Sequence, residues 1–345
     1  MKLNRGEWAE LYAKTYLILS GALVELDEQL EPLPGKFHKI IALCPDPSHY
    51  EDEISLKALQ DRVLSPLSRF ELERLNQMFF EEIKNGQGPS FESKNGPLVA
   101  SQLGINTYKS GSNNKADVGL KLESLAYSQG EILGFSIKSK ISNPPTLLNA
   151  SKHNTNFQFE ITGELKDWTQ YHGSQGTLRS LLQRLVSEGA KFSFSGVRAG
   201  KLEDSMNIFS STFSSEVAGF LLSHYLGQGS TLKRALEIAA SAREPQWKLG
   251  AQYRLGKFLE AIALGLTPTK LWNPEHAEWG GYIIVMTDGT VGGLRAFNSS
   301  ALTNYLLENT KFDTPSRGKH EYGFVYQREG RFYIDLALQL RESSG

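Results

Sequence analysis

Residues 117–138 read DVGLKLESLAYSQGEILGFSIK, and this stretch decides the architecture around it. Its two ends, 117–123 and 132–138, alternate apolar residues with polar or small ones, which is typical of β-strands. The segment Ser128-Gln129-Gly130 lies between them and has the composition of a turn. The pattern therefore predicts an antiparallel β-hairpin.

The predicted hairpin sets two charged side chains against each other. If Glu123 lies opposite Ile132, then Asp117 lies opposite Lys138, with the two Cβ atoms about 5 Å apart. One interpretation is an ordinary surface ion pair. The other is an active site, because a carboxylate can bind a divalent cation while a lysine orients the attacking water or stabilises developing negative charge.

Composition excludes several classes of protein. The chain has 345 residues, with 37 Lys and Arg against 38 Asp and Glu, so its formal net charge is −1. This neutral average does not indicate nucleic-acid binding, but a basic cleft remains compatible with it. Cys44 is the only cysteine, which excludes a disulfide framework and a cysteine zinc site. No apolar run reaches the ~18 residues of a membrane span, and no signal-peptide pattern is present, so we expect an intracellular, cytoplasmic protein.

Other elements can be predicted on each side of this hairpin. The apolar spacing predicts a helix over residues 5–20, with Gly21 as its C-cap. Asp288-Gly289 marks the turn of a second hairpin over residues 282–297. A third hairpin is predicted over residues 324–338.

Short blocks along the whole chain carry a resemblance to a known family. The spacing of Asp117 and Lys138 resembles the signature of the PD-(D/E)xK nuclease superfamily, with Ser136 in the place of its second acid. The ordered set of blocks is similar to the HpaII-type restriction endonucleases. The matching blocks are Asn4–Tyr12, Lys115–Asp117, Gly134–Ser139, Thr146–Ser151, Thr155–Phe157 and Thr314–His320.

The resemblance implies a fold, a reaction and a partner. The fold would be α/β, a PD-(D/E)xK core with a mixed sheet flanked by helices and additional helical and β-hairpin DNA-recognition elements. The protein would be a prokaryotic homodimer on DNA, hydrolysing duplex phosphodiesters with Mg²⁺ at a short palindrome such as CCGG. Asp117 would bind the metal, the backbone carbonyl of Ile137 could be a further ligand, and Lys138 would orient the attacking water.

Ser136 departs from the family pattern, because a hydroxyl is a poorer ligand for a hard cation than a carboxylate. The site then needs an acid from elsewhere. Glu10 on the predicted first helix is the favoured candidate, and Glu160 after the Asn-rich block is the alternative. Either residue could instead be a solvated carboxylate.

Polar and basic residues near these blocks are candidate DNA contacts. Some would surround the scissile phosphate, although Asn and Ser in this pattern also stabilise turns. The late basic segment would read bases in the major groove, unless it is a solvated loop. The candidates are Lys115, Lys140, Asn149, Ser151, Asn156, Arg317, Lys319 and His320.

The same pattern suggests a division of the chain. Residues 1–165 would form the nuclease core with its N-terminal helices, and residues 166–345 a helical and β-rich DNA-recognition region. Two other functions remain open. One is a different PD-(D/E)xK nuclease, such as a repair enzyme or junction resolvase, and the other is a non-catalytic DNA-binding protein on a nuclease fold.

Overall fold

The structure, a computed structural model, describes residues 1–47, 53–56, 68–106, 108, 116–123, 131–141, 143–163, 171, 177–274, 280–295 and 300–343. The strands are β1 (Lys2–Leu3), β2 (Ala22–Leu26), β3 (Pro32–Cys44), β4 (Ile54–Ser55), β5 (Phe91–Glu92), β6 (Val118–Leu122), β7 (Leu133–Ser139) and β8 (Thr146–Leu148). They continue with β9 (Asn156–Thr162), β10 (Lys191–Val197), β11 (Gly281–Val285), β12 (Val291–Arg295), β13 (Thr310–Phe312), β14 (Val325–Arg328), β15 (Arg331–Ala337) and β16 (Leu340–Glu342).

The helices of the described residues complete the mixed α/β fold expected from the sequence. They are α1 (Arg5–Ser20), α2 (Arg69–Asn85), α3 (Asn95–Gln102), α4 (Leu178–Ser187), α5 (Lys201–Asn207), α6 (Phe213–Tyr225), α7 (Leu232–Ala240), α8 (Pro245–Ala263), α9 (Ala301–Asn309) and α10 (Arg317–His320). Within the described ranges, none of these helices has the length and apolar character that crossing a membrane requires.

The chain folds into two compact units that are not continuous in sequence. The first comprises residues 1–145, 263–265 and 275–305, and the second comprises residues 146–262, 266–274 and 306–345. This division differs from the predicted boundary at residue 165, because β11 and β12 return to the sheet of the first unit.

A mixed sheet forms the centre of the first unit. Seven of the described strands lie in the order β2-β12-β11-β7-β6-β3-β4. The β7–β11 and β12–β2 pairs are parallel, and the other neighbours are antiparallel. Helix α1 packs on this sheet, and its residues Trp8, Leu11 and Tyr12 are almost completely buried in the shared apolar core. Most residues of β6 and β7 are buried on both faces, and the positions between their apolar residues are occupied by the small residues Gly119, Gly134 and Ser136.

Helix α1 begins and ends where the sequence predicts. The Asn4 side chain accepts from the Glu7 N–H, and the Glu7 carboxylate accepts from the Asn4 N–H, both at 2.9 Å, which is a capping box. Gly21 ends the helix with φ +70°, and its N–H donates to the Leu17 carbonyl. Glycine adopts this left-handed conformation without a Cβ clash.

The hairpin of β6 and β7 forms, but its register differs from the prediction. Val118 pairs with Phe135, and Leu120 with Leu133. The Asp117 N–H donates to the Phe135 carbonyl, so Asp117 lies beside Phe135 and not opposite Lys138. Since the pairing is shifted by two positions, the side chains from Val118 to Leu120 keep their predicted faces. The predicted turn at 128–130 lies outside the described residues.

The second unit contains a separate antiparallel sheet. Four of its described strands lie in the order β10-β9-β15-β14. One face buries apolar side chains such as Phe157, Phe159 and Ile334. The other face is polar. Apolar and polar residues therefore alternate along these strands, as is typical of a sheet with one packed and one solvated face. The hairpin predicted over 324–338 is present as β14 and β15.

We predict that the Tyr12→Phe substitution destabilises the first unit. The Tyr12 hydroxyl donates to the Gly289 carbonyl at 2.6 Å, and both residues are buried. Removal of the hydroxyl leaves a buried carbonyl without its donor, which costs about 1–3 kcal/mol of unfolding free energy. Urea unfolding measures the loss, and Tyr253→Phe on the exposed face of α8 is the control. Equal stability of both variants would show that the bond contributes nothing.

Candidate active site

Asp117 is held at the start of β6 by two hydrogen bonds to β7. Its N–H donates to the Phe135 carbonyl at 2.8 Å. Its Oδ2 accepts from the Ile137 N–H at 2.7 Å. The side chain thus takes over a bond that backbone would otherwise make, and this fixes the position of the carboxylate.

The carbonyl of Ile137 points to the same side of β7 as its N–H, because both groups of one residue lie on the same side of a strand. The hydrogen bonds of neighbouring residues agree with this alternation. The Phe135 carbonyl is bonded to Asp117, whereas the Gly134 carbonyl accepts from Gly280 on the opposite side. The Ile137 carbonyl is therefore directed toward the Asp117 side of the strand.

Lys138 is positioned by an aromatic ring from β11. Its Nζ lies 5.1 Å from the centroid of the Tyr282 ring, and Tyr282 is buried. Parallel pairing of β7 with β11 sets Tyr282 beside Ser136, which is also buried. The cation–π contact restrains the ammonium group beside β7 and β11.

Glu10 on α1 belongs to the same group of charges. Burial, and after it the negative charge of Asp117, raises its pKa from 4.5 to about 7, against the opposing charges of Lys14 and Lys138. Two carboxylates in a partly buried environment repel each other, so the proton-bound form of Glu10 is stabilised near neutral pH.

Lys14 is the residue of this group that the sequence reasoning missed. It is fully buried, and its Nζ donates to the Pro45 carbonyl at 2.7 Å. Burial lowers its pKa, while the charges of Glu10, Asp117 and Asp46 act in the opposite direction. Its spacing from Glu10, one helical turn along α1, was the available signal, because residues four apart share a helix face.

The donors of this group suit a hard cation. Carboxylates and a backbone carbonyl are the oxygen ligands that Mg²⁺ takes together with water. Among the residues that the structure describes, no three His, Cys, Asp or Glu side chains form a ready metal cluster. A cation bound between Asp117 and Glu10 would relieve the repulsion that raises the pKa of Glu10, so these residues fit such an ion.

Glu160, the alternative acid, has other surroundings. It lies on β9 in the second compact unit, whereas Glu10, Asp117 and Lys138 lie in the first. Its carboxylate forms an ion pair with Arg331 at 3.4 Å. The structure therefore groups Glu10 with Asp117 and places Glu160 in a separate ion pair.

Several predicted DNA contacts are engaged inside the protein. The Nζ of Lys140 donates to the Tyr305 hydroxyl at 2.6 Å. Asn156 is fully buried, and its amide donates to the carbonyls of His320 and Glu321. The Arg317 guanidinium donates to the Gly323 carbonyl at 2.7 Å and lies over the Phe324 ring.

The rest of the predicted contacts fall into three groups. Ser151 stabilises a turn, since its carbonyl accepts from the Thr155 N–H and its N–H donates to the Thr155 hydroxyl. Asn149 and Lys319 are exposed, and His320 is half-buried in the short helix α10, where the sequence predicted a loop. Lys115 lies outside the described residues.

Comparison with known proteins gives two matches. A family model described as HpaII restriction endonuclease matches residues 4–342. The Type II restriction enzyme HpaII of Haemophilus parainfluenzae is 28% identical to this chain, and the alignment covers 98% of each protein. No solved structure matches at a significant level. The family match extends over both compact units.

We predict that Glu10→Gln makes the metal-free protein more stable at high pH. The folded protein raises the pKa of Glu10 from 4.5 to about 7, so its stabilising contribution is complete below 4.5 and is lost as pH rises through 7. At pH 8 this loss is on the order of 3 kcal/mol, and an uncharged glutamine avoids it.

Urea unfolding in EDTA at pH 5 and pH 8 measures the effect. The gain in unfolding free energy should shrink to less than about 1 kcal/mol at pH 5. Glu81→Gln, at an exposed position on α2, is the control. A gain that is the same at both pH values would refute the charge repulsion at Glu10.

Proposed function

Because the chain belongs to the HpaII restriction endonuclease family, we propose that it cleaves duplex DNA at a short palindrome with Mg²⁺ as cofactor. As a member of this family it is a type II site-specific deoxyribonuclease. One observation carries the assignment of the site. The Asp117 carboxylate, fixed by the Ile137 N–H, shares a charged group with Glu10 and Lys138 in one compact unit.

Asp117 and Glu10 would hold the Mg²⁺ ion, with the Ile137 carbonyl as a further oxygen ligand. When bound, the ion polarises the phosphoryl oxygens and lowers the pKa of a coordinated water. Glu10 must release its proton before it can bind a cation, and its raised pKa places that release near neutral pH. The acid that Ser136 lacks is thus supplied by α1.

Lys138 would act on the attacking water and on the charge of the transition state. Its ammonium group can donate hydrogen bonds to the water and to a nonbridging phosphate oxygen, where negative charge develops. The ring of Tyr282 restrains it at this position. A donor that is already oriented needs no reorganisation during the reaction, which is the main source of electrostatic catalysis.

We propose CCGG as the target, following the family resemblance, and a homodimer as the acting form. A palindrome has two-fold symmetry, so a two-fold dimer presents one active site to each strand.

Incubation of plasmid DNA with the protein and Mg²⁺ tests the proposal. Discrete fragments that end within CCGG support it. A smear, or a preference for branched substrates, would instead indicate a repair or junction nuclease. Shifted but uncut DNA would indicate a non-catalytic DNA-binding protein.

We predict that Lys138→Ala and Asp117→Asn lower cleavage by at least about 100-fold, because each removes an interaction made with the transition state or its metal. Specific DNA binding, measured in Ca²⁺ by gel shift, should remain close to that of the wild type for Lys138→Ala. Lys121→Ala on β6 is the matched control, and it should cleave normally. Full cleavage by the Lys138 variant would remove this residue from the site.

We predict a larger loss of cleavage from Glu10→Gln than from Glu160→Gln. Glu10 faces the charge of Asp117, whereas Glu160 is engaged with Arg331 in the second unit. Single-turnover cleavage of a CCGG duplex compares the two variants. The reverse order would assign the metal-binding acid to Glu160 and leave Glu10 as a residue of the helix.

A further inference from the structure

The polar face of the sheet β10-β9-β15-β14 carries a connected group of side chains that the catalytic proposal does not use. At its centre is Arg198, which follows directly after β10. Its Nε donates to Oδ2 of Asp335 at 2.6 Å. Its guanidinium carbon lies 5.0 Å from the centroid of the Tyr326 ring. The plane and the direction of the guanidinium are therefore both restrained.

Further side chains hold these partners in place. The Tyr326 hydroxyl donates to the other carboxylate oxygen of Asp335 at 2.9 Å and accepts from the Gln158 amide. The Gln158 side-chain carbonyl accepts from the Ser195 hydroxyl at 3.2 Å. The network thus runs across four strands and ends at a guanidinium.

Exposure differs sharply along this network. The Asp335 side chain is only 4% exposed, whereas that of Arg198 is 34% exposed. An arginine has five N–H donors, and the contacts with Asp335 and Tyr326 use only part of them. The network therefore presents an oriented set of donors at the surface of the sheet.

Stability does not account for this arrangement. Burial raises the pKa of Asp335, which means that its charge is held at a cost, and Arg198 compensates for it. Apolar residues in the place of a buried ion pair are often neutral or stabilising. The ion pair with Asp335 has a use if the Arg198 guanidinium must be held in one orientation to bind a planar partner.

We propose that Arg198 reads guanine in the major groove, by donating to the O6 and N7 atoms of the base. This inference rests on the proposed function and assigns a specificity-determining residue to it. Arginine makes two parallel hydrogen bonds to this edge of guanine. Asp335 neutralises most of the charge of Arg198, so the pair is poorly suited to a phosphate, where the gain comes from charge neutralisation.

Asn156 connects Arg198 to the late basic segment, residues 317–320. The Arg198 N–H donates to the Asn156 carbonyl at 3.0 Å, and the Asn156 amide holds the carbonyls of His320 and Glu321. The segment 317–320 is therefore anchored beside Arg198. Arg317 is directed to a backbone carbonyl of its own segment, whereas Arg198 is oriented by side chains of two neighbouring strands, so we assign base reading to Arg198.

Binding of Arg198→Ala to cognate and scrambled duplexes in Ca²⁺ tests the proposal. We expect a roughly 10- to 100-fold loss on the cognate duplex, little change on the scrambled one, and an unchanged salt dependence. Arg198→Lys should lose nearly as much, because an ammonium does not reproduce the fork. Arg328→Ala is the matched control, since Arg328 lies over Tyr333 on the same sheet face.

Two results would overturn the proposal. Equal losses on both duplexes, with a salt slope reduced by about one, would make Arg198 a phosphate contact. If Arg198→Ala does not fold, Arg198→Lys and Tyr326→Phe decide the question. If both of these variants distinguish the cognate from the scrambled duplex as well as the wild type does, the network has a purely structural role.

Substitution of 7-deazaguanine for each guanine of the site identifies the contacted atom, because this analogue lacks N7. Wild-type protein should bind one modified duplex about 10-fold more weakly, and Arg198→Ala should not distinguish modified from unmodified DNA. If the affinity lost with 7-deazaguanine and the affinity lost in Arg198→Ala add up, the two groups do not interact, and the proposed contact is wrong. If wild-type protein shows no preference for any sequence, the proposed function itself fails. Preference that survives in Arg198→Ala contradicts only the inference about Arg198.

Discussion

Burial of the Glu10 carboxylate close to the charge of Asp117 is the constraint around which the site of the first unit is organised. Burial is the main cause that raises the pKa of Glu10 to about 7, and the charge of Asp117 adds to it. Compensation comes from Lys14 and Lys138 and from the Ile137 N–H. In the proposed site, Glu10 holds its proton up to about pH 7, so that binding of a cation by its carboxylate would be coupled to release of the proton.

The proposed site also accounts for Ser136 at the position where the resemblance leads us to expect an acid. Serine is small and buried beside Tyr282, so the strand keeps its packing but loses a ligand. Helix α1 packs on the sheet and brings Glu10 to the charge of Asp117. In the proposed site α1 supplies the acidic group that the two strands lack, and a motif search confined to those strands does not detect it.

The second unit uses buried charge differently. Asp335 is paired with Arg198 and bonded to Tyr326, so its negative charge is balanced by partners within the protein. The charges around Glu10 and Asp117 suit a metal ion. The pair of Arg198 and Asp335 suits the edge of a base, which is neutral and planar and requires positioned donors more than net charge. The two proposals thereby place chemistry on the sheet of the first unit and base reading on the sheet β10-β9-β15-β14 of the second.

The sequence by itself determined the elements whose signals are local. The capping box of Asn4 and Glu7 with Gly21 fixed both ends of α1, and the strands around Asp117 followed from their period of two. The tertiary structure decided the register of β6 against β7, the burial of Lys14 and the pairing of Arg198 with Asp335. These depend on hydrogen bonds and packing between residues distant in sequence, such as Lys14 with Pro45 and Arg198 with Asp335, and local periodicity carries no information about such contacts.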